Sequence, residues 1–210
     1  WGLTNDITQL YRRTTAGGWT PMSTGISSLN NDSWTAVWGS SCSDVWFFGL
    51  GGGDTIITHW NGTAFTQQFL FNFPQGDGVH RLFGFADDDI WGMTDSYTFV
   101  RWEGSVWTEV YDGNLSCCGG IWGAASDDVW ASESDAGDLR YNDGTGWTPD
   151  YVVLDFYPTY STSSVTTRGL WGRASDDLWA VGTSSGLARM FHYDGATWSE
   201  SPSPTDGSQG

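Results

Sequence analysis

Short apolar runs, each about the length of a β-strand, recur along the whole chain between clusters of Gly, Asp, Asn, Ser and Thr. One copy shows the arrangement. Trp34 to Ser40, Asp44 to Gly49, Thr55 to Trp60 and Thr63 to Gln67 read as strands A, B, C and D. Full copies run from Trp38 to Phe65, Phe83 to Trp107, Trp122 to Trp147 and Trp171 to Trp198, and a partial copy opens the chain from Trp1 to Trp19. Four aromatic columns mark the register. Trp38, Phe83, Trp122 and Trp171 form the first, and Trp1, Trp46, Trp91, Trp130 and Trp179 the second. Tyr11, Trp60, Trp102, Tyr141 and Tyr193 form the third, and Trp19, Phe65, Trp107, Trp147 and Trp198 the fourth. Trp34 alone among the fifteen tryptophans stands outside them. A period of 39 to 49 residues with four strands per copy predicts propeller blades, because a lone four-stranded sheet leaves an apolar face uncovered. The fold class expected is all-β, a five-bladed β-propeller of four-stranded antiparallel blades with the first blade incomplete. The first repeat lacks an apolar-Trp-Gly strand A, and Ser201 to Gly210 holds none to supply it.

The organisation expected is one propeller domain over residues 1–200, followed by a Ser/Pro/Gly-rich tail over 201–210. The partial repeat covers 1–24, and the full repeats cover about 32–68, 79–110, 118–150 and 167–200. Asn61-Gly62, Glu103-Gly104, Asp143-Gly144 and Asp194-Gly195 read as two-residue C–D hairpins. The acidic runs Asp87-Asp88-Asp89, Ser126-Asp127-Asp128 and Ser175-Asp176-Asp177 fall at A–B turns and read as Asx-turn chemistry rather than as calcium loops. Columns two and four are expected to be mostly buried.

Two segments resemble a known group. Trp1 to Met22, WGLTNDITQLYRRTTAGGWTPM, resembles a tectonin repeat. Gly169 to Trp198, GLWGRASDDLWAVGTSSGLARMFHYDGATW, resembles the bacterial repeat DVWAVG…HWNGTxW. Both belong with the tectonin and tachylectin-like β-propellers. The resemblance implies a carbohydrate-binding, lectin-like role, although the matching residues are mostly core.

Charge narrows the partners. Lysine is absent and the net charge is −17, so the surface repels phosphate and nucleic acid is not an expected partner, and with no run of about 18 apolar residues no membrane insertion is expected. Richness in Asp, Ser, Thr and Gly, with sequons at Asn31, Asn61 and Asn114, fits an extracellular or cell-surface location. The chain begins in mid-repeat, so residues upstream are expected to have been removed or left out. The adjacent Cys117 and Cys118 form either a vicinal disulfide, the reading adopted, or two thiols, with Cys42 out of reach. His59 and His192 hold one place before the third column, where the other copies place Arg101 and Arg140, so no metal site is expected. No catalytic motif stands out, and neither an enzyme nor a cofactor is expected.

Function is expected where the repeat varies, in the D-to-A and B-to-C loops. Trp34, Tyr111, Tyr157 and Tyr160 are the candidate stacking platforms for a sugar, with Asp95, Asp112 and Asp155 as acceptors for its hydroxyls. Neutral sugars suit a surface at −17 better than anionic ones. The alternative is a structural or adhesive module that binds protein partners, or copies of itself, through its open first blade.

Overall fold

The computed structural model describes residues 1–27, 33–69, 78–94, 98–112, 118–133, 138–148, 152–153, 166–184 and 186–202. All regular elements among them are strands. The strands build five antiparallel sheets, the blades of a five-bladed β-propeller whose first blade is incomplete. The chain divides into two compact units, Trp1–Val110 and Tyr111–Gly210.

In the first unit, blade 1 has only β1 (Gln9–Arg13) and β2 (Trp19–Ser23) as strands. An isolated bridge from Gly2 to Tyr11 marks where its strand B begins, and no strand A is present among the described residues. Blade 2 is β3 (Ser33–Ser41), β4 (Asp44–Gly51), β5 (Asp54–Trp60) and β6 (Phe65–Phe69), in that spatial order. Blade 3 is β7 (Val79–Ala86), β8 (Asp89–Thr94), β9 (Thr98–Trp102) and β10 (Trp107–Asp112), the last crossing into the second unit. In the second unit, blade 4 is β11 (Cys118–Ala125), β12 (Asp128–Glu133), β13 (Asp138–Asn142) and β14 (Val152–Val153). Blade 5 is β15 (Thr166–Ala174), β16 (Asp177–Ser184), β17 (Leu187–Tyr193) and β18 (Trp198–Ser201).

Strand B explains why the apolar runs are nearly continuous. Alternate residues of β4 face opposite blades: Val45 and Phe47 join a core with Ile7, Leu10 and Ile26 of the first repeat, while Trp46 and Phe48 join one with Ile90 and Val100 of blade 3. A strand buried on both faces needs apolar residues at every position.

The aromatic columns are one contact repeated. Columns one and two pair directly across strands A and B, as Trp38 with Trp46, Trp122 with Trp130 and Trp171 with Trp179, so they share a face. That face meets the following blade. Trp46 packs on Trp102 and Trp107 at ring-centroid distances of 4.8 and 5.9 Å. Trp130 packs on Tyr193 and Trp198 at 5.2 and 5.7 Å, and Trp1 on Trp60 and Phe65 at 5.7 and 6.0 Å. Thus a second-column tryptophan sits between the third- and fourth-column aromatics of the next blade. The first-column tryptophan lies against the next blade's strand-A glycine. A Cβ on Gly84 would stand 2.6 Å from the Trp38 ring, and one on Gly172 would stand 2.8 Å from the Trp122 ring.

Three expectations are corrected. The C–D connections are four-residue loops, because Trp60 pairs with Phe65 and Tyr193 with Trp198. Asn61 Oδ1 accepts the backbone N–H groups of Thr63 and Ala64, and Asp194 Oδ1 those of Ala196 and Thr197. Between them the glycine takes the left-handed region, with φ of 94° at Gly62 and 87° at Gly195. The two-residue hairpins are instead the A–B turns, closed by Ser41–Asp44, Ala86–Asp89, Ala125–Asp128 and Ala174–Asp177 pairs. Lastly, Trp19 of column four is 55% exposed, whereas Trp107 and Trp198 are buried.

Candidate functional site

The aspartate that opens each strand B does more than close a turn. It reaches across to the strand-C residue opposite the second-column tryptophan. In blade 2, Trp46 pairs with His59 across the strands, and His59 Nε2 lies 2.6 Å from Asp44 Oδ1 while its ring stacks on Trp46 at 4.2 Å and 14°. Ser40 Oγ donates to the other oxygen of the same carboxylate. In blade 3 the guanidinium of Arg101 donates to Asp89 Oδ1 at 2.9 Å and lies 4.8 Å over the Trp91 ring. In blade 5 His192 Nε2 is 2.9 Å from Asp177 Oδ1 and packs on Trp179 at 4.4 Å, and the indole N–H of Trp179 donates to the same oxygen at 3.3 Å. The His192 hydrogen bond holds the Asp177 carboxyl below its ordinary value, with Arg173 adding to the effect.

Blade 4 places a different residue opposite its second-column tryptophan. Tyr141, not Arg140, stands opposite Trp130, with the rings 4.7 Å apart. Arg140 pairs one place along, with Ala131, and Asn142 takes the third-column position opposite Val129 and bridges to Trp147. The run YNDGTGW has one residue more than WNGTAF or YDGATW, and the insertion falls before the turn glycine, which shifts this blade by one place. Burial raises the Tyr141 hydroxyl above its ordinary value, with the Asp128 charge adding to it. Burial likewise raises Asp128. Each clasp lies within one blade, and among the described residues no three His, Cys, Asp or Glu side chains group as metal ligands. What the clasps do is hold strand B to strand C beside the blade–blade contact.

The loop residues proposed for sugar binding are not brought together among the described residues. Trp34 lies in β3, only 6% exposed, with its indole N–H donating to the Gln9 carbonyl at 3.2 Å and its ring edge-on to Phe47 at 6.0 Å. The core of the first unit covers both faces, so Trp34 is not an exposed platform. Tyr111 and Asp112 end β10, and their side chains lie outside the described residues. Asp95, Asp155, Tyr157 and Tyr160 lie wholly outside them. Cys117 also lies outside, and Cys118 is described only as the first backbone position of β11. No disulfide is present among the described residues, and Cys42 is a free, exposed thiol.

Among the described residues two tryptophans are exposed. Trp171, on β15, is 61% exposed, although its counterpart Trp122 is 7% exposed. Trp19, on β2, is the second. Both stand in the aromatic columns of the repeat.

No family model and no curated protein matches this sequence. Solved structures do. The β-propeller domain of Vanderwaltozyma polyspora Nup133 superimposes with a TM-score of 0.58 at 10% identity, over 98% of this chain and 68% of that one. What the chain shares with it is the propeller fold. Luciferin-regenerating enzyme matches with a TM-score of 0.57 at 10% identity, over 94% of this chain and 70% of that one. An ancestral GH74 enzyme matches with 0.58 at 12% identity, over 94% of this chain but only 30% of the enzyme. Enzymes stand beside a propeller domain named for no activity, and at these identities only the fold carries over.

Proposed function

We propose that this propeller is a non-catalytic interaction module, extracellular or at a cell surface, that works through protein–protein contact. The observation that carries the reading is Trp171, a tryptophan 61% exposed at a position that elsewhere lies against a neighbouring blade. An uncovered indole on a rigid strand is the kind of anchor that protein interfaces use. Among the described clasps, the histidines and their aspartates are engaged in strand-to-strand contacts, which gives them a structural role. The absence of lysine and the −17 charge suit a soluble surface outside the cell.

The second reading is the lectin-like one that the tectonin-type repeats imply. Trp19, 55% exposed on the outermost strand of blade 1, favours it as a flat platform for a neutral sugar. A glycan array read beside sedimentation velocity separates the two. The interaction module shows concentration-dependent mass and no saturable glycan signal. Saturable binding to a sugar, lost on Trp19→Ala and unaccompanied by association, overturns it in favour of the lectin.

A further inference from the structure

We propose that Asn61 is an acceptor for an N-linked glycan, its carboxamide nitrogen taking an oligosaccharide at the C–D loop of blade 2. The inference rests on the extracellular placement of the chain, since this modification belongs to surface loops of secreted proteins.

Asn61-Gly62-Thr63 is an Asn-x-Thr sequence, and the folded loop presents it. Asn61 and Thr63 are both exposed. Asn61 Oδ1 accepts the Thr63 hydroxyl at 2.9 Å, together with the backbone N–H groups of Thr63 and Ala64 at 3.0 and 2.9 Å. Every one of these loop bonds ends on the oxygen. Among the described residues Nδ2 makes no hydrogen bond.

The sibling loops show that the turn needs only that oxygen. In blade 5 the Asp194 carboxylate accepts the N–H groups of Ala196 and Thr197. In blade 4 the Asp143 carboxylate accepts the Thr145 N–H at 2.9 Å and its hydroxyl at 2.6 Å, and Glu103 holds the place in blade 3. Among these four residues only Asn61 brings a nitrogen, one that the loop leaves unused, with a hydroxyl two places on.

The hydroxyl bears on the chemistry. In blade 4 the hydrogen bond from the Thr145 side chain, ahead of that from its backbone, holds the Asp143 carboxyl below its ordinary value. The arrangement therefore stabilises negative charge on the capping oxygen. The same bonds at Asn61 stabilise the charge that moves onto Oδ1 as Nδ2 gives up a proton. In the transfer, Nδ2 bonds to the anomeric carbon of a polyprenyl-pyrophosphate-linked oligosaccharide. The bond from that carbon to the phosphate oxygen breaks, the pyrophosphate leaves with the electron pair, and the Nδ2 proton passes to a base of the transferase. Gly62 lies on the A–B turn, where an added Cβ would stand 2.8 Å from the Ser43 side chain. A glycan at Asn61 thus covers the A–B end of blade 2 and leaves its B–C end open to a partner.

The test uses the full chain carrying Asn31→Gln and Asn114→Gln, which leaves Asn61 as its one Asn-x-Ser/Thr site. The chain is secreted from eukaryotic cells behind a cleavable leader. Its intact mass is read before and after peptide-N-glycosidase treatment in heavy-oxygen water, which separates enzymatic release from spontaneous deamidation of the Asn-Gly pair. Most molecules are expected to carry one glycan. Thr63→Ser keeps it and Thr63→Ala loses it. Asp143→Asn sets an amide in the matching loop of blade 4, two places before Thr145, and gains a second glycan. Melting temperatures establish that each variant is folded. A folded, secreted chain with Asn61 bare overturns the site and leaves the interaction module standing, because sedimentation velocity reads association in the same samples. A glycosylated chain that stays monomeric keeps the site and removes the module. Wild-type chain recovered from the cells that make it tests the placement. Found outside them with Asn61 bare, it overturns the site alone; retained inside them and bare, it overturns the extracellular reading and the site together.

Discussion

Trp130 shows how one side chain can hold two blades. It is 5% exposed and touches Tyr141 on its own blade and both Tyr193 and Trp198 on the next. Trp130→Ala is expected to cost about 3–5 kcal/mol as a core truncation, read from the urea midpoint, with Trp179→Ala costing less because that ring is already half in solvent. Equal losses at the two positions would show that column two is not a blade–blade wedge. The clasp aspartates give a pH signature with a definite sign. In the folded chain Asp177 has its carboxyl lowered from 3.8, first by the His192 hydrogen bond, so its contribution is present above that value. The contribution is lost as pH falls through the depressed value. Asp194, lowered by the N–H groups of Thr197 and Ala196, behaves in the same way. Asp128 is raised by burial and runs the other way: its contribution is present at low pH and is lost as pH rises through its folded value. Asp177→Asn is therefore expected to flatten the acid side of a stability-against-pH curve, and Asp128→Asn to remove a loss on the rising side. Unchanged curves would leave the clasps without an electrostatic role.

At the scale of the element, glycine decides how closely two blades approach. Gly84 is there because its neighbour's indole fills the space a Cβ needs, at 2.6 Å. Gly84→Val is expected to destabilise the chain by about 1–3 kcal/mol or more through overpacking. Gly62 carries two constraints, a φ of 94° and a would-be Cβ 2.8 Å from the Ser43 side chain, so Gly62→Val should cost a similar amount, while Asn61→Asp keeps the acceptor that the turn requires. Gly17, with φ of 87° but open space around it, separates the terms: Gly17→Ala reports conformational strain alone. Denaturation midpoints of the three glycine variants check these costs, with Gly17→Ala expected to lose least. The strand pattern was legible in the sequence because strand-length apolar runs and turn residues have a local cause. The length of the C–D loop was not, since Asn-Gly serves both a two-residue hairpin and a four-residue loop. The shift of blade 4 was hidden for a related reason, as one inserted residue in YNDGTGW can be placed on either side of the turn until the strands pair.

For the whole molecule the dominant long-range force is self-repulsion. With −17 net charge and no lysine, added salt is expected to raise the melting temperature by screening, most steeply below about 0.15 M, where the Debye length exceeds about 8 Å. A melting temperature independent of salt would mean that the acidic groups are already compensated locally, as Asp89 is by Arg101 and Asp177 by Arg173.

By itself the sequence determined the all-β class, the blade count, the missing first strand and the four aromatic columns, because each follows from a period that a lone sheet cannot satisfy. Tertiary structure alone decided which aromatics are covered. Trp34 fell outside the repeat and reads as a free platform, yet the first repeat packs over it and the Gln9 backbone carbonyl accepts a hydrogen bond from its indole N–H. Trp171 and Trp19 sit inside the repeat and read as core, yet both stand in solvent. Burial is a property of neighbours, and a repeat pattern records only what each copy presents.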